Sequence, residues 1–305
     1  MKTKFLFLIW MVCGICCSAF AVSEAKLAPY VYDDTKQLVT LVEDAATLME
    51  RKGEAAFKDF GVKNSKWFSD KYYLFVYDLD GNCLFHAEQP GLIGKNLISF
   101  KDAAERPVME LVTAVGKKPG ADASGWVFYL WEMPNHYAPY WKTSYIRKVI
   151  MPDGKIYVVG SGFFKMKIEK AFIQESVDMA ADLILSEGKE AAFNEIRNPF
   201  SAFQVLDSYV VVLDEHGNVI VDPSFPVVAQ RNIADFRDIT GRIIFDEVSK
   251  TLKYTDRGWH AFLWSQYENN MPARMLLYVR RVKVGNEEFF LYGDFYPAKP
   301  IWMKV

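Results

Sequence analysis

One pattern occurs twice in the chain, about 135 residues apart. The first copy reads Glu54-Ala55-Ala56-Phe57, then Tyr73 to Asp78 with Gly81 and Asn82. It goes on through Gly125-Trp126 to Trp131 and ends at Tyr145 and Arg147. The second reads Glu190-Ala191-Ala192-Phe193, Tyr209 to Asp214 with Gly217 and Asn218, Gly258-Trp259 to Trp264, and Tyr278 with Arg280. Such a period is far too long for a solenoid, and each unit is large enough to bury its own core. The repeat therefore predicts one domain folded twice, over residues 30–165 and 168–299.

The remaining features agree with an ordinary globular protein. Of 305 residues, 51% are hydrophobic and 24% charged. A formal net charge of -2 supplies no basic surface to track a phosphate backbone, so nucleic acid is excluded as a partner. Lys2 and Lys4, the apolar run Phe5 to Val12 and the Ala19-Phe20-Ala21 site form an export signal, residues 1–21. The expected location is periplasmic. The alternative is an uncleaved anchor in the inner membrane, since Phe5 to Val22 is uncharged and approaches the ~20 residues of a span. Cys13, Cys16 and Cys17 lie in this segment, so the mature chain keeps only Cys83 and cannot form an internal disulfide. Cys83 reads as a small buried hydrophobe. The chain stops at Val305, soon after the second copy, and is expected to carry no cytoplasmic signalling module of its own.

Apolar residues at helical spacing predict a long amphipathic helix over residues 30–52, and another over 168–185. Runs of β-branched and aromatic residues follow in each copy, with hairpin signals at Asp80-Gly81, Asp153-Gly154, Gly217-Asn218 and Gly285-Asn286. Short helices are expected over 106–115 and 243–252. Each unit is thus α+β: a long N-terminal helix and a mostly antiparallel sheet with a helical insertion. Lys165 to Lys170 offers no Pro/Gly/Ser linker, which predicts a packed pair whose second long helix runs straight on from the first domain.

Nothing in the chain supports catalysis. None of the histidines, His86, His136, His216 and His260, lies at a metal-ligand spacing, and no nucleophile elbow, P-loop or dinucleotide fingerprint occurs. Asp78-Leu-Asp80-Gly81-Asn82 begins like a calcium loop, but its Gly falls early and no Glu closes it, so it reads as a turn. The expectation is a protein that is not an enzyme and uses no metal or cofactor.

The informative residues are aromatics and cations on the late strands. Alternation places Val127, Tyr129 and Trp131 on one face, and Trp126, Phe128 and Leu130 on the other. On the next strand Tyr145 and Arg147 share one face, and Lys142 and Ser144 share the opposite one. Aromatic walls beside one cation can hold a small anion with a short apolar tail. The same residue types also serve as plain core and solvated surface. Lys142 and Arg147 cannot both line one pocket, and spacing leaves the choice open.

Both copies resemble the bacterial single Cache domain of the second subtype, the extracytoplasmic sensor of chemoreceptors and histidine kinases. The likeness rests in copy one on Tyr73 to Asp78 with Gly81, His86, Gly94-Lys95-Asn96, Gly125-Trp126 to Trp131, Lys142-x-Ser144-Tyr145 and Val159 to Phe163. It implies PAS-like sheets that bind small organic ligands, commonly short carboxylates. The expected ligand residues are Tyr129, Trp131, Lys142, Tyr145, Arg147, His86 and Trp126. Trp259, Trp264, Tyr278 and Arg280 are their counterparts in copy two.

Copy two departs from the pattern. Asp222 stands for His86, Met275 for Lys142 and Leu277 for Ser144, and Gly293-Asp294 is aligned with Gly162-Phe163. A carboxylate site is therefore expected in copy one. The expected function is a small-molecule sensor, in chemotaxis or related signal transduction, that serves a membrane receptor or histidine kinase. The alternative is an envelope interaction protein that keeps the fold and binds no ligand.

Overall fold

The computed structural model describes residues 22–225, 231–265 and 271–297. The expected export segment, with its alternative reading as an anchor, lies outside the described residues. Among them, no helix is long and apolar enough to cross a membrane.

The first unit opens with α1 (Glu24–Leu27) and the long α2 (Asp33–Lys52), followed by a 3-10 turn (Gly53–Ala56) and α3 (Phe57–Phe60). Then come β1 (Leu74–Asp78), β2 (Cys83–His86), α4 (Val108–Lys117), β3 (Ser124–Glu132), β4 (Pro139–Ile150) and β5 (Ile156–Phe164). The sheet runs β2-β1-β5-β4-β3, antiparallel throughout. Leu38, Leu41, Val42, Ala45, Leu48 and Met49 form the buried stripe of α2 and lie across β4 and β5. Asp33 and Asp34 in its first turn and Arg51 and Lys52 in its last complement the helix dipole. On the other face, α4 covers β3, β4 and β5.

The second unit repeats this plan. It comprises α5 (Lys170–Glu187), α6 (Lys189–Arg197), β6 (Gln204–Val205), β7 (Ser208–Tyr209), β8 (Val211–Asp214), β9 (Val219–Val221), α7 (Ile244–Leu252), β10 (Arg257–Ser265), β11 (Pro272–Val284) and β12 (Glu287–Phe295). Its sheet order, β10-β11-β12-β8-β9, is the first order read from the other edge, and the β6–β7 ladder is an addition. The layout is the α+β one expected.

The shared turn is duplicated atom for atom. Asp78 accepts hydrogen bonds from the Asp80 and Asn82 amides and from Asn82 Nδ2. Asp214 does the same for His216 and Asn218. Asn96 and Asn232 each latch the following loop to their turn through Nδ2. Gly81 (φ 85°) and Gly217 (φ 80°) take the left-handed conformation such turns require. The Asp78 carboxylate is thus committed to two backbone amides and the Asn82 side chain, in keeping with a turn.

The two units are packed together, but the junction differs from a continuous helix. Lys165 turns with φ 56°, and α5 begins only at Lys170. In this connector Glu169 is buried and accepts hydrogen bonds from the Val31 and Tyr32 amides, 2.9 Å each, at the start of α2. Trp126 packs on Phe172 with ring centroids 4.5 Å apart. Arg106, fully buried, donates from Nη2 to the Ser201 carbonyl at 3.0 Å and from Nη1 to Gln204 Oε1.

Candidate functional site: a filled face and a cavity

The strand register assigns each candidate side chain to one face of its sheet. Trp126, Tyr145 and Arg147 point toward the long helices. Arg147 Nε lies 3.3 Å from Glu43 Oε2 and its Nη2 3.4 Å from Glu50 Oε1. The Tyr145 hydroxyl donates to Glu43 Oε1 at 2.8 Å, and Trp126 Nε1 donates to the Tyr30 hydroxyl at 3.1 Å. The second domain repeats this clamp. Arg280 meets Asp178 (3.3 Å) and Asp182 (2.8 Å), Tyr278 donates to Asp178, and Trp259 donates to Gln174. Three candidates in each copy thus hold a sheet to its helix.

His86, Tyr129, Trp131 and Lys142 meet on the opposite face of the first sheet. Lys142 is buried and donates from Nζ to the Tyr73 hydroxyl at 2.7 Å. Its Nζ sits 4.1 Å from the centroid of the Tyr73 ring and 5.2 Å from that of Phe75. Among the described residues it has no ion-pair partner, and burial lowers its pKa to about 7. His86 Nδ1 accepts from the Gln89 amide at 2.9 Å, and the ring stacks between Phe75 and Trp131. Burial first, and then the Lys142 charge, lowers its pKa to about 3, so the ring is neutral. Tyr129 and Ser144 share a hydrogen bond of 2.9 Å. Among the described residues, Trp131 Nε1 and Gln89 Oε1 are buried without a hydrogen-bond partner. Cys83 is buried nearby, its thiol pushed up to about 11 by burial.

Large side chains fill this face. They lean over glycines on β5: a Cβ at Gly160 would meet Phe75 at 2.5 Å and Ile146 at 2.6 Å. At Gly162 a Cβ would meet Ser144 Oγ at 2.3 Å and the Thr143 carbonyl at 2.4 Å.

On the same face of the second sheet three positions carry smaller groups, while Tyr292 and Asp294 stand where Gly160 and Gly162 stand. Val211 stands where Phe75 stands, Leu213 where Tyr77 stands, and Met275 where Lys142 stands. A cavity of about 1100 Å³ opens there, lined by Trp264, Met275, Leu277, Phe245, Phe290 and Tyr292 among others. Of the expected second-domain residues, Trp264 lines it, while Trp259, Tyr278 and Arg280 belong to the helix clamp.

Three carboxylates also line the cavity, Asp207, Asp222 and Asp294, of which Asp222 and Asp294 replace residues of the first-domain face. Here the register corrects the sequence alignment. Ser144 pairs with Gly162 and Leu277 with Asp294, so Asp294 is equivalent to Gly162, and Gly293 to Ser161. The hairpin is the cause. Between the paired Ile150 and Ile156 the chain runs Met151 to Lys155; between the equivalent Lys283 and Glu288 it runs only Val284 to Glu287. One residue fewer turns each later side chain to the other face relative to an alignment on the glycine. Counting both hairpins outward from their turns would have found it.

The Asp294 carboxylate has no hydrogen bond or ion pair among the described residues. It is enclosed by protein, with its accessible part opening into the cavity. Burial, with the Asp222 charge second, raises its pKa to about 6. Asp222 accepts from the Ser224 and Phe225 amides through Oδ1, both at 3.0 Å. No group of His, Cys, Asp and Glu able to hold a metal occurs among the described residues.

Comparison with known proteins agrees with the duplication. Residues 61–169 match the family model described as Cache domain, and residues 165–286 match that described as Single Cache domain 2. No curated protein matches the chain. Among solved structures, a Cache chemosensory domain described for carboxylic acid recognition is 25% identical over 47% of this chain and 95% of its own, at a TM-score of 0.32. A methyl-accepting chemotaxis protein from Vibrio parahaemolyticus is 20% identical over 46% and 88%, at 0.33. The ligand-binding domain of the Pseudomonas fluorescens chemoreceptor CtaA, in complex with L-alanine, is 9% identical over 88% and 93%, at 0.31.

Proposed function

We propose, from the premise that both halves of the chain belong to the Cache family of sensory ligand-binding domains, that the protein is an exported small-molecule sensor whose ligand enters the second-domain cavity. The observation that carries this reading is the contrast between two sheets of one topology. One face is filled at Gly160 and Gly162 by the Phe75, Ile146 and Ser144 side chains. The other encloses about 1100 Å³ walled by aromatic and aliphatic side chains with a few polar groups, the ordinary make-up of a ligand pocket. The basic, apolar and small-residue order of residues 1–21 supports export to the periplasm. A membrane receptor or histidine kinase is the partner this reading calls for.

Thermal unfolding against a panel of organic acids, amino acids and amines tests it. A ligand at about 100 times its Kd stabilises by ~2.7 kcal/mol, a readily visible rise in Tm. Val211→Phe, which gives the second sheet the ring that Phe75 holds in the first, should abolish the rise. If no compound shifts the melt, or the shift survives Val211→Phe, the reading falls. The alternative of an envelope protein without ligand would then stand.

A second reading concerns the first domain. Lys142 without a counter-ion among the described residues, together with a Trp131 N–H that has no hydrogen-bond partner among them, supports a short carboxylate entering between His86, Tyr129, Trp131 and Lys142. An acid that raises the melting temperature of the wild type but not of Lys142→Met would support it. An equal response in both would end it.

A further inference from the structure

We propose that the second-domain cavity takes a ligand bearing a protonated amine, with the ammonium held at Asp294 and Asp222 and an apolar body against Trp264, Phe245 and Phe290. The proposal rests on the reading of that cavity as the sensor's pocket. It reverses the charge expected from the resemblance to carboxylate sensors.

Three observations carry it. The first is the exchange of charge on one face of a duplicated sheet. Lys142 and His86 in the first domain give way to Met275 and Asp222 in the second, and Gly162 gives way to Asp294. The second is the Asp294 carboxylate itself, enclosed by protein, directed into the cavity and unpartnered among the described residues. A half-buried carboxylate facing apolar walls gains from a partner, and a ligand cation supplies one. The third is that, among the described residues, no cation does so. Arg231 lines the cavity but is exposed, lies 4.8 Å over the Phe236 ring, and forms no ion pair with either aspartate. The other titratable groups around the cavity are Asp207 and the tyrosines Tyr209, Tyr292 and Tyr296. None of these carries a positive charge.

The carboxylates also set how binding depends on pH. Burial and Asp222 raise the Asp294 pKa to about 6. Below that pH the carboxyl takes up a proton and loses its attraction for an ammonium. Amine affinity should therefore fall with acidification, where a carboxylate ligand would gain.

The test is isothermal titration of the full chain with 2-phenylethylamine and butylamine, and with 3-phenylpropionate and butyrate as isosteres of opposite charge. The expected result is amine binding that weakens about 10- to 100-fold in Asp294→Asn, as the loss of one charge-assisted hydrogen bond implies. Asp222→Asn should weaken it as well, and circular dichroism should show both variants folded. Amine affinity unchanged in Asp294→Asn overturns the proposal. So does carboxylate binding in place of amine binding, lost in Val211→Phe, although the pocket reading would then survive. If neither series binds, the amine proposal fails, and the wider panel decides the fate of the pocket itself.

Discussion

Asp294 occupies in the second sheet the position that Gly162 occupies in the first, each paired across the ladder with the residue, Leu277 or Ser144, that faces the same side. At Gly162 there is no room for a side chain, because the Ser144 hydroxyl and the Thr143 carbonyl already fill the space. At Asp294 there is a cavity. Gly162→Ala should cost roughly 1–3 kcal/mol through overpacking. Urea unfolding of the variant measures it, and a midpoint equal to wild type would mean that the first face is looser than its contacts indicate.

Asp294→Asn tests the burden of the enclosed carboxylate on folding. Its pKa is raised to about 6 from 3.8, so between these values the folded chain binds more protons than the unfolded one. Stability from this group is therefore lost as pH rises through that window. The ligand-free variant should be more stable than wild type at about pH 8 and show no advantage below about pH 4. Urea midpoints at the two pH values check the sign.

Lys142 gives the opposite slope, over another range. Burial lowers its pKa from 10.5 to about 7, so above pH 7 the unfolded chain binds more protons than the folded one. Its penalty is full below about pH 7 and relieved as pH rises toward 10.5. Lys142→Met should flatten the rise in stability over that range, gaining on wild type by on the order of a few kcal/mol at neutral pH and little at pH 10.5. Parallel pH profiles for the two proteins would refute the assignment.

Arg147 belongs to the scaffold. Its guanidinium is largely buried and bridges Glu43 and Glu50. Arg147→Ala should destabilise by roughly 1–3 kcal/mol, through the lost charge-assisted hydrogen bonds, since Glu43 keeps Lys26 and Tyr145 as partners. Ligand affinity at saturation of the folded protein should stay within about twofold of wild type, because the residue faces α2 and not the cavity. A selective loss of binding with normal stability would reverse the role.

Arg106 ties the two domains through the Ser201 carbonyl and the Gln204 side chain. Arg106→Ala strands these buried acceptors and should cost about 1–3 kcal/mol. The tie should couple the domains, so that the wild type unfolds in one calorimetric transition and the variant in a split or broadened one. An unchanged transition would show that the remaining contacts suffice.

Much of the fold could be read from the residues alone. The long helices follow from apolar positions repeating at helical spacing, as with Leu38, Leu41, Val42 and Ala45. The faces of β3 and β4 follow from strict alternation, which already separated Trp126 and Arg147 from Trp131 and Lys142. The paired turns follow from Asp78 with Gly81 and Asp214 with Gly217, because side-chain acceptors and a left-handed glycine are local requirements. These are all short-range constraints, and a sequence states them directly.

What the sequence alone determined, then, is a duplicated α+β unit, its elements and the two sides of each strand. Which side meets the helices, which of Lys142 and Arg147 is clamped to them, and where space remains were decided only by the tertiary structure. The reason is that a cavity is a difference of volumes summed over many strands. Val211, Leu213 and Met275 leave room only because two separate strands, β8 and β11, bring them to one face of the sheet, and Asp294 enters that room only because a hairpin at the far end of β12 is one residue shorter. No local stretch of sequence contains that sum.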